Sequence, residues 1–333
     1  MNNIVFITGG AGFIGSELIR EIIKNTNYSV VNIDKLTYAG NLDSLHGIDK
    51  NRYSFVQYDI ADKNNIRNLF NQYKPVAIFN LAAESHVDKS IFSATDFIQT
   101  NIVGTFNLLE CAREYVEQLN LYNRFKFIHI STDEVYGSLN NEGYFNENSK
   151  YDPRSPYSAS KASSDLLVNA WYHTYKLPII ITNCSNNYGP YQFPEKLIPL
   201  SITNAIKGNK IAVYGSGNNI RDWLHVNDHV KALILVLEKG TIGESYCIGG
   251  HNERTNIDVV NLICRILDEI IPTKHGNSYT KQIEFVVDRK GHDFRYAIDP
   301  SKITKELGWN PLINFNDGIR NTIKWYIDNR TLA

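Results

Sequence analysis

Two adjacent carboxylates, Asp133 and Glu134, stand in STDEVYG (131–137) directly after an apolar run, Phe125–Ile130. A buried strand hands over to polar loop at that point. An acid and a base side by side there suit proton transfer, and a solvated turn is the competing reading. A second constellation lies downstream in PYSASKASSDLL, where Tyr157 and Lys161 are four residues apart. On a helix they share one face, one turn apart. A phenol with an ordinary pKa near ~10 is a poor base at neutral pH, and a nearby ammonium favours its phenolate.

The third constellation is TGGAGFIGS (Thr8–Ser16), with Gly9, Gly12 and Gly15 three apart. Glycines at that spacing permit a tight turn, close backbone approach to a pyrophosphate, and close packing of helix on strand. The helix that follows offers free N–H groups and the positive end of its dipole to phosphates. The acid expected after the second strand is Asp34, in VVNIDK. It is expected on the ribose hydroxyls, where it disfavours a 2′-phosphate and selects NAD over NADP, a preference that Lys35 weakens slightly. Asp59, in VQYDI, is a candidate adenine contact or a cap.

These residues need a scaffold of buried strands and covering helices. Short apolar runs (3–8, 29–34, 53–58, 76–81, 125–131, 178–184) alternate with stretches of helical period. That pattern predicts a doubly wound parallel α/β sheet of Rossmann type. One helix is expected over 92–121, long enough to offer a face to a partner helix. After about residue 185, Pro190, Pro194 and Pro199 break the chain into short pieces, with small strands near 211–214 and 284–287. The expected division is a dinucleotide-binding domain over 1–184 and a smaller mixed α/β substrate lobe over 185–333. A segment near 222–240, beginning at Trp223–Val226, is expected to return to the sheet.

Composition excludes several classes. The 333 residues carry a net charge of −1 with both signs mixed, which removes the footprint of a nucleic-acid binder. No apolar run approaches membrane-spanning length, and the N-terminus reads as a first strand and not as a leader. The four cysteines, Cys111, Cys184, Cys247 and Cys264, are widely spaced, as in a reduced cytoplasmic protein. The histidines His86, His129 and His292 form no metal-ligand set, so no metal is expected.

Together TGGAGFIGS, NLAAESHVDKS, YSASK and NNYGP resemble the extended short-chain dehydrogenase/reductase family over nearly the whole chain. STDEVYG resembles its nucleotide-sugar 4,6-dehydratases, since the epimerases have small or apolar residues in place of the acidic pair. NNYGPYQFPEKLIP, RDWL and DRKGHDFRYAID are similar to the branch whose sugar is carried on dTDP, except that Lys290 stands where proline is usual. The resemblance implies a redox-neutral dehydration with bound NAD. Tyr157 and Lys161 would serve oxidation at C4, Glu134 would remove the C5 proton, and Asp133 would protonate the departing O6. Thr132 would bond O4, and Ser85 would touch sugar and cofactor.

The resemblance further implies a cofactor cradle that adds Phe13, Ile14, Thr37, Ile60, Leu81, Ala82, Ala83, Thr100 and Asn187 to the residues above. On the substrate side it implies Asn186, Lys196, Leu197, Val213, Tyr214, Asn256, Asp288, Arg289 and His292. Arg221 would clamp a phosphate, because its planar fork fits one in a bidentate way. Two long helices, roughly 92–119 and 157–175, would pair across a two-fold axis into a four-helix bundle, making a homodimer.

Overall fold

The computed structural model describes residues 3–273 and 276–329. Its main sheet has seven strands in the order β10-β6-β5-β4-β1-β2-β3. These are β1 (Ile4–Thr8), β2 (Ser29–Ile33), β3 (Tyr53–Val56), β4 (Ala77–Asn80), β5 (Lys126–Thr132), β6 (Ile179–Cys184) and β10 (Ser245–Ile248). Every neighbouring pair is parallel. Parallel strands need crossovers and bury both faces, which is why these segments read as unbroken apolar runs.

One face is covered by α1 (Phe13–Asn25), α8 (Val226–Lys239) and α10 (Ser301–Leu307), around a core that includes Leu18, Ile22, Leu233 and Val236. The other is covered by α2 (Lys63–Tyr73), α5 (Thr105–Leu119) and α6 (Pro156–Tyr175), around Phe70, Leu108, Ala112 and Val168.

A second core, with Ile202, Val213, Ile263 and Phe315, lies among α7 (Leu197–Lys207), α9 (Asn256–Ile270) and α11 (Phe315–Asp328). Two small sheets flank it. One joins β7 (Asn186–Tyr188), β9 (Ile220–His225) and β11 (Glu253–Thr255); the other pairs β8 (Ile211–Tyr214) with β12 (Ile283–Val286). Among the described residues no helix is long and apolar enough to cross a membrane. All four cysteines are buried and free.

Two expectations are corrected. Trp223–Val226 does not rejoin the main sheet as a strand, because β9 pairs with β7 and β11; the return over 222–240 is made by α8 on the face of the sheet, and the added strand is β10, beyond that span. The reason lies in the pairing: both segments are buried, but β9 has β7 on one edge and β11 on the other, whereas β10 lies along β6. Asp222 accepts the N–H groups of Gly250 and Asn252, which holds β9 within the lobe.

Nor is 92–121 one regular helix. A separate α3 (Val87–Phe92) ends first, α4 (Thr95–Phe97) restarts the chain, and Ile98–Gly104 is a π-helix that runs into α5. A π-turn admits an extra residue and often marks a functional site. Here it places Thr100 on the cleft, while Asn101 brackets Glu84 and bonds the Ser160 hydroxyl at 2.8 Å.

Candidate active site

The glycine loop leaves β1 with Gly9 at φ +70°, a conformation glycine adopts freely. A Cβ there would lie 2.7 Å from the Ala82 nitrogen, and one at Gly15 would strike the Gly9 carbonyl. The backbone is therefore packed as closely as a pyrophosphate cradle requires, with the N-terminus of α1 behind it. Asp34 ends β2 and accepts the N–H of Ala11 at 2.9 Å and of Leu36 at 2.8 Å. Its carboxylate is thus fixed at the rim of the loop. These observations fit a dinucleotide, and every residue expected in the cradle, from Gly9 to Asn187, lines one continuous cleft.

Two neighbours of Asp34 have further tasks. Lys35 donates to the Thr100 hydroxyl at 3.0 Å and lies 3.5 Å from Asp59. Asp59 also accepts the Ala61 N–H at 2.9 Å, so it caps the approach to α2 while facing the cleft.

At the far end of the same cleft stand Thr132, Asp133, Glu134, Tyr157 and Lys161. Consecutive strand residues face opposite ways, so the acidic pair can share one cavity only if the strand stops. It does: β5 ends at Thr132 and Asp133–Tyr136 form a 3₁₀ turn, capped by the Thr132 hydroxyl on the Glu134 N–H at 3.3 Å. The same hydroxyl donates to Asp133 Oδ1 at 3.2 Å, while the buried Oδ2 has no partner. Burial first, then the charges of Glu134 and Asp222, push the Asp133 carboxyl well above the usual carboxylate range. Glu134 is also raised by burial, but Arg289, Arg221 and Lys196 pull it back. The environments therefore separate the pair in the sense expected for an acid and a base.

Tyr157 enters on α6, which begins with a capping box between Ser155 and Ser158 and with Pro156 at its first turn. Lys161, one turn later, is buried and donates to the Ile130 carbonyl at 2.7 Å. Burial and the Glu134 charge hold the Tyr157 phenol well above its ordinary value, opposed by a hydrogen bond with Thr132. The groups of the protein alone thus hold Tyr157 as the phenol, and the reading of Lys161 as its activator includes the positive charge of bound nicotinamide.

The substrate-side residues divide. Ser85, Asn186 and Lys196 line the cleft, with Lys196 donating to the Ser85 carbonyl at 2.8 Å. Arg289 sits beside Asp88 at 3.6 Å, Tyr214 donates to Asp88 at 3.3 Å, and His292 is 2.6 Å from Asp288. Asn256 opens α9. Three expectations fail in detail. Val213 is buried in the lobe's core because β8 alternates inward and outward, and Leu197 packs against the same core. Arg221 is no open fork either: its guanidinium donates to the carbonyls of Ile220, Asp293 and Phe294 and lies over the Tyr296 ring at 4.3 Å. It acts on the acidic pair as a fixed charge.

Sequence reasoning missed Tyr58, Glu84, Cys184, Gln192, Phe193 and Glu195 on the cleft wall. Tyr58, Glu84 and Glu195 adjoin residues already singled out, which was the available signal. Glu195 meets Tyr38, His86 and Lys89 from distant parts of the chain.

The GDP-mannose 4,6 dehydratase family model matches residues 6–322. A dTDP-glucose 4,6-dehydratase of Neisseria meningitidis is 58% identical, over 98% of this chain and 94% of its own. Among solved structures, DesIV, a dTDP-glucose 4,6-dehydratase of Streptomyces venezuelae with NAD bound, superposes with a TM-score of 0.90 at 42% identity, covering 98% of both chains. The Bacillus anthracis dTDP-glucose 4,6-dehydratase in complex with NAD gives 0.87 at 44% identity, covering 99% of both. With its glycine cradle and its acidic pair on one cleft, and with this likeness along nearly its whole length, the chain belongs to the family of the nucleotide-sugar 4,6-dehydratases, among the dTDP-glucose 4,6-dehydratases.

Proposed function

We propose that the protein converts dTDP-glucose to dTDP-4-keto-6-deoxyglucose and water. The observation that carries this reading is the strand end that turns Asp133 and Glu134 into the cleft of Tyr157, with Asp133 held toward its neutral form. NAD⁺, held by the glycine loop, Asp34 and the cleft wall, supplies a hydride acceptor and a positive charge when bound. That charge would offset the burial which holds the Tyr157 phenol up.

The C5 proton of a hexose is not acidic until C4 is a ketone, so oxidation comes first. Tyr157 takes the O4 proton as C4 gives up its hydride, with the Thr132 hydroxyl orienting the phenol. Glu134 then removes the C5 proton, the C6–O bond breaks, and Asp133 gives its proton to the departing hydroxyl as water. Finally C6 receives the hydride and Glu134 returns a proton to C5; Tyr157 gives up the O4 proton to solvent and Asp133 regains one, so that all three groups end as they began. Arg221, Arg289 and Lys196 keep Glu134 ionised for its turn as base. Lys196, Arg289, Tyr214, Asn186, Asn256 and His292 would hold the nucleotide diphosphate, with Arg221 contributing charge from its fixed position.

We further propose a homodimer in which α5 and α6 of two copies form a four-helix bundle. Leu166 and Leu119 on these helices, and Ile98 at their approach, leave apolar side chains exposed that such a bundle would cover. The cytoplasm, as a reducing compartment, suits the four free cysteines.

Deuterium placed at C4 of dTDP-glucose tests the reaction. The expected product carries it at C6, within the same molecule, as read by mass spectrometry of a mixture with substrate labelled at an inert carbon. Label lost to solvent, or returned to C4, would refute the dehydration.

A further inference from the structure

Behind the cleft, a chain of polar side chains crosses the sheet entirely within the protein. The Thr8 hydroxyl accepts the Ala82 N–H at 3.1 Å and donates to Asn80 Oδ1 at 2.9 Å. That fixes the Asn80 amide, whose nitrogen donates to His129 Nδ1 at 3.1 Å and to the Thr105 hydroxyl at 3.1 Å. With Nδ1 accepting, the proton of a neutral imidazole is on Nε2, which lies 3.2 Å from Asp165 Oδ1. Burial and the Lys161 charge hold His129 down to about 4, so it stays neutral. Asp165 Oδ2 accepts from the Ser131 hydroxyl at 2.8 Å, Tyr151 at 3.2 Å and the Asn183 amide at 3.3 Å.

Asp165 is thus a wholly buried carboxylate with donors on two strands and a loop, and its imidazole neighbour brings no charge. A buried anion without a cation is costly. The cation that can balance it is Lys161, one helical turn earlier on α6 and also buried, which donates to the Ile130 carbonyl; burial lowers its pKa and the Asp165 charge opposes that fall. Ile130 directly precedes Ser131, so the carboxylate and the ammonium grip the same stretch of β5 just before the catalytic turn. The other groups facing the pair are the neutral Tyr151, Tyr136 and Cys184, the last a thiol pushed up to about 12 by burial.

We infer that Asp165 is a positioning residue for the oxidation step: its carboxylate sets the charge around Lys161 from one turn along α6, and its hydrogen bonds lock the end of β5 to the catalytic helix. The inference rests on the reading of Tyr157 and Lys161 given above. It adds a residue outside the cleft whose effect on the reaction passes through Lys161.

The test begins with Lys161→Met, which must slow reduction of bound NAD⁺ in a single turnover with dTDP-glucose. No slowing would overturn the reading of Tyr157 and Lys161 itself, separately from the role of Asp165. Asp165→Asn is then expected to slow that step about ten- to a hundredfold at neutral pH, from the loss of one unit charge a helical turn from Lys161. Its pH profile is expected to narrow, with the rising limb of Tyr157 moving up and a falling limb of Lys161 appearing at lower pH. A second readout needs no Asp165 variant. The side-chain ¹³Cε signal of Lys161 in the wild-type holoenzyme, assigned by its loss in Lys161→Met, is expected to report an ammonium throughout the neutral range. A neutral amine at pH 7 would overturn the inference. So would an Asp165→Asn protein that loses rate equally at every pH, or one in which adding Lys161→Met slows the step as much as it does in the wild type.

Discussion

Replacing Glu134 with Gln separates the two halves of the proposed reaction. The amide keeps the shape and one acceptor oxygen but cannot take the C5 proton. The electrostatic consequences follow from the groups around it. The Glu134 charge is the leading Coulombic contribution that raises both Asp133 and Tyr157, so its removal lowers both. Oxidation, which needs the phenolate, is therefore spared or made easier. Elimination loses its base and leaves the acid less firmly protonated. Loss of a positioned base costs about 10²- to 10⁴-fold. At about 1.4 kcal/mol per factor of ten, the elimination barrier rises by about 3–5.5 kcal/mol. Arg221, Arg289 and Lys196 would then face a neutral side chain, so substrate binding through its diphosphate is not expected to weaken. The assay is a single turnover with excess enzyme, following the near-ultraviolet absorbance of the reduced cofactor. It is expected to rise at or above the wild-type rate and then persist, whereas in the wild type it decays as C6 is reduced. Turnover of the variant within a fewfold of wild type would refute the assignment of Glu134, as would loss of the initial rise.

The remaining predictions use the same cleft. Asp133→Asn is expected to leave exchange of the C5 proton with solvent partly intact while slowing loss of water, as measured by deuterium incorporation against keto-sugar formation. Wild-type elimination is expected to fall at low pH, as Glu134 takes up a proton at its raised pKa, and at high pH, as Asp133 loses the proton it must deliver. The high-pH limb lies above the ordinary carboxylate range because burial raises Asp133 so far, and the two apparent values belong to the coupled pair; a rate flat across that range would count against the pairing. Asp34→Ala is expected to relax the preference for NAD over NADP in binding titrations, and to cost about 1–3 kcal/mol of stability through the unpaired N–H groups of Ala11 and Leu36.

Much of this protein was legible along the chain because its chemistry sits where local signals are strong. The glycine loop, Asp34 and the six expected parallel strands each follow from short stretches whose residue types admit few conformations. Even the turn at Thr132 follows from sequence logic, since two neighbouring carboxylates can face one cavity only past a strand end. Tertiary structure decided what depends on partners far apart in the chain. β10 rather than Trp223–Val226 joins the main sheet because the pairing of β9 is settled by β7 and β11, each pairing with it across more than thirty positions of the chain. Val213 turned inward because the side of a strand that faces a core is set by what packs on it. Arg221, which looks on paper like an open fork for phosphate, has its donors taken by carbonyls some seventy residues on. Asp165 gave no signal at all in PYSASKASSDLL, where it reads as one more polar residue on a helix. Only when β5, β6 and α6 are brought together do His129, Ser131 and Asn183 converge on it, one helical turn from Lys161. Residue types and spacing determine which chemistry is available; the long-range packing of the sheet determines which charges survive burial to perform it.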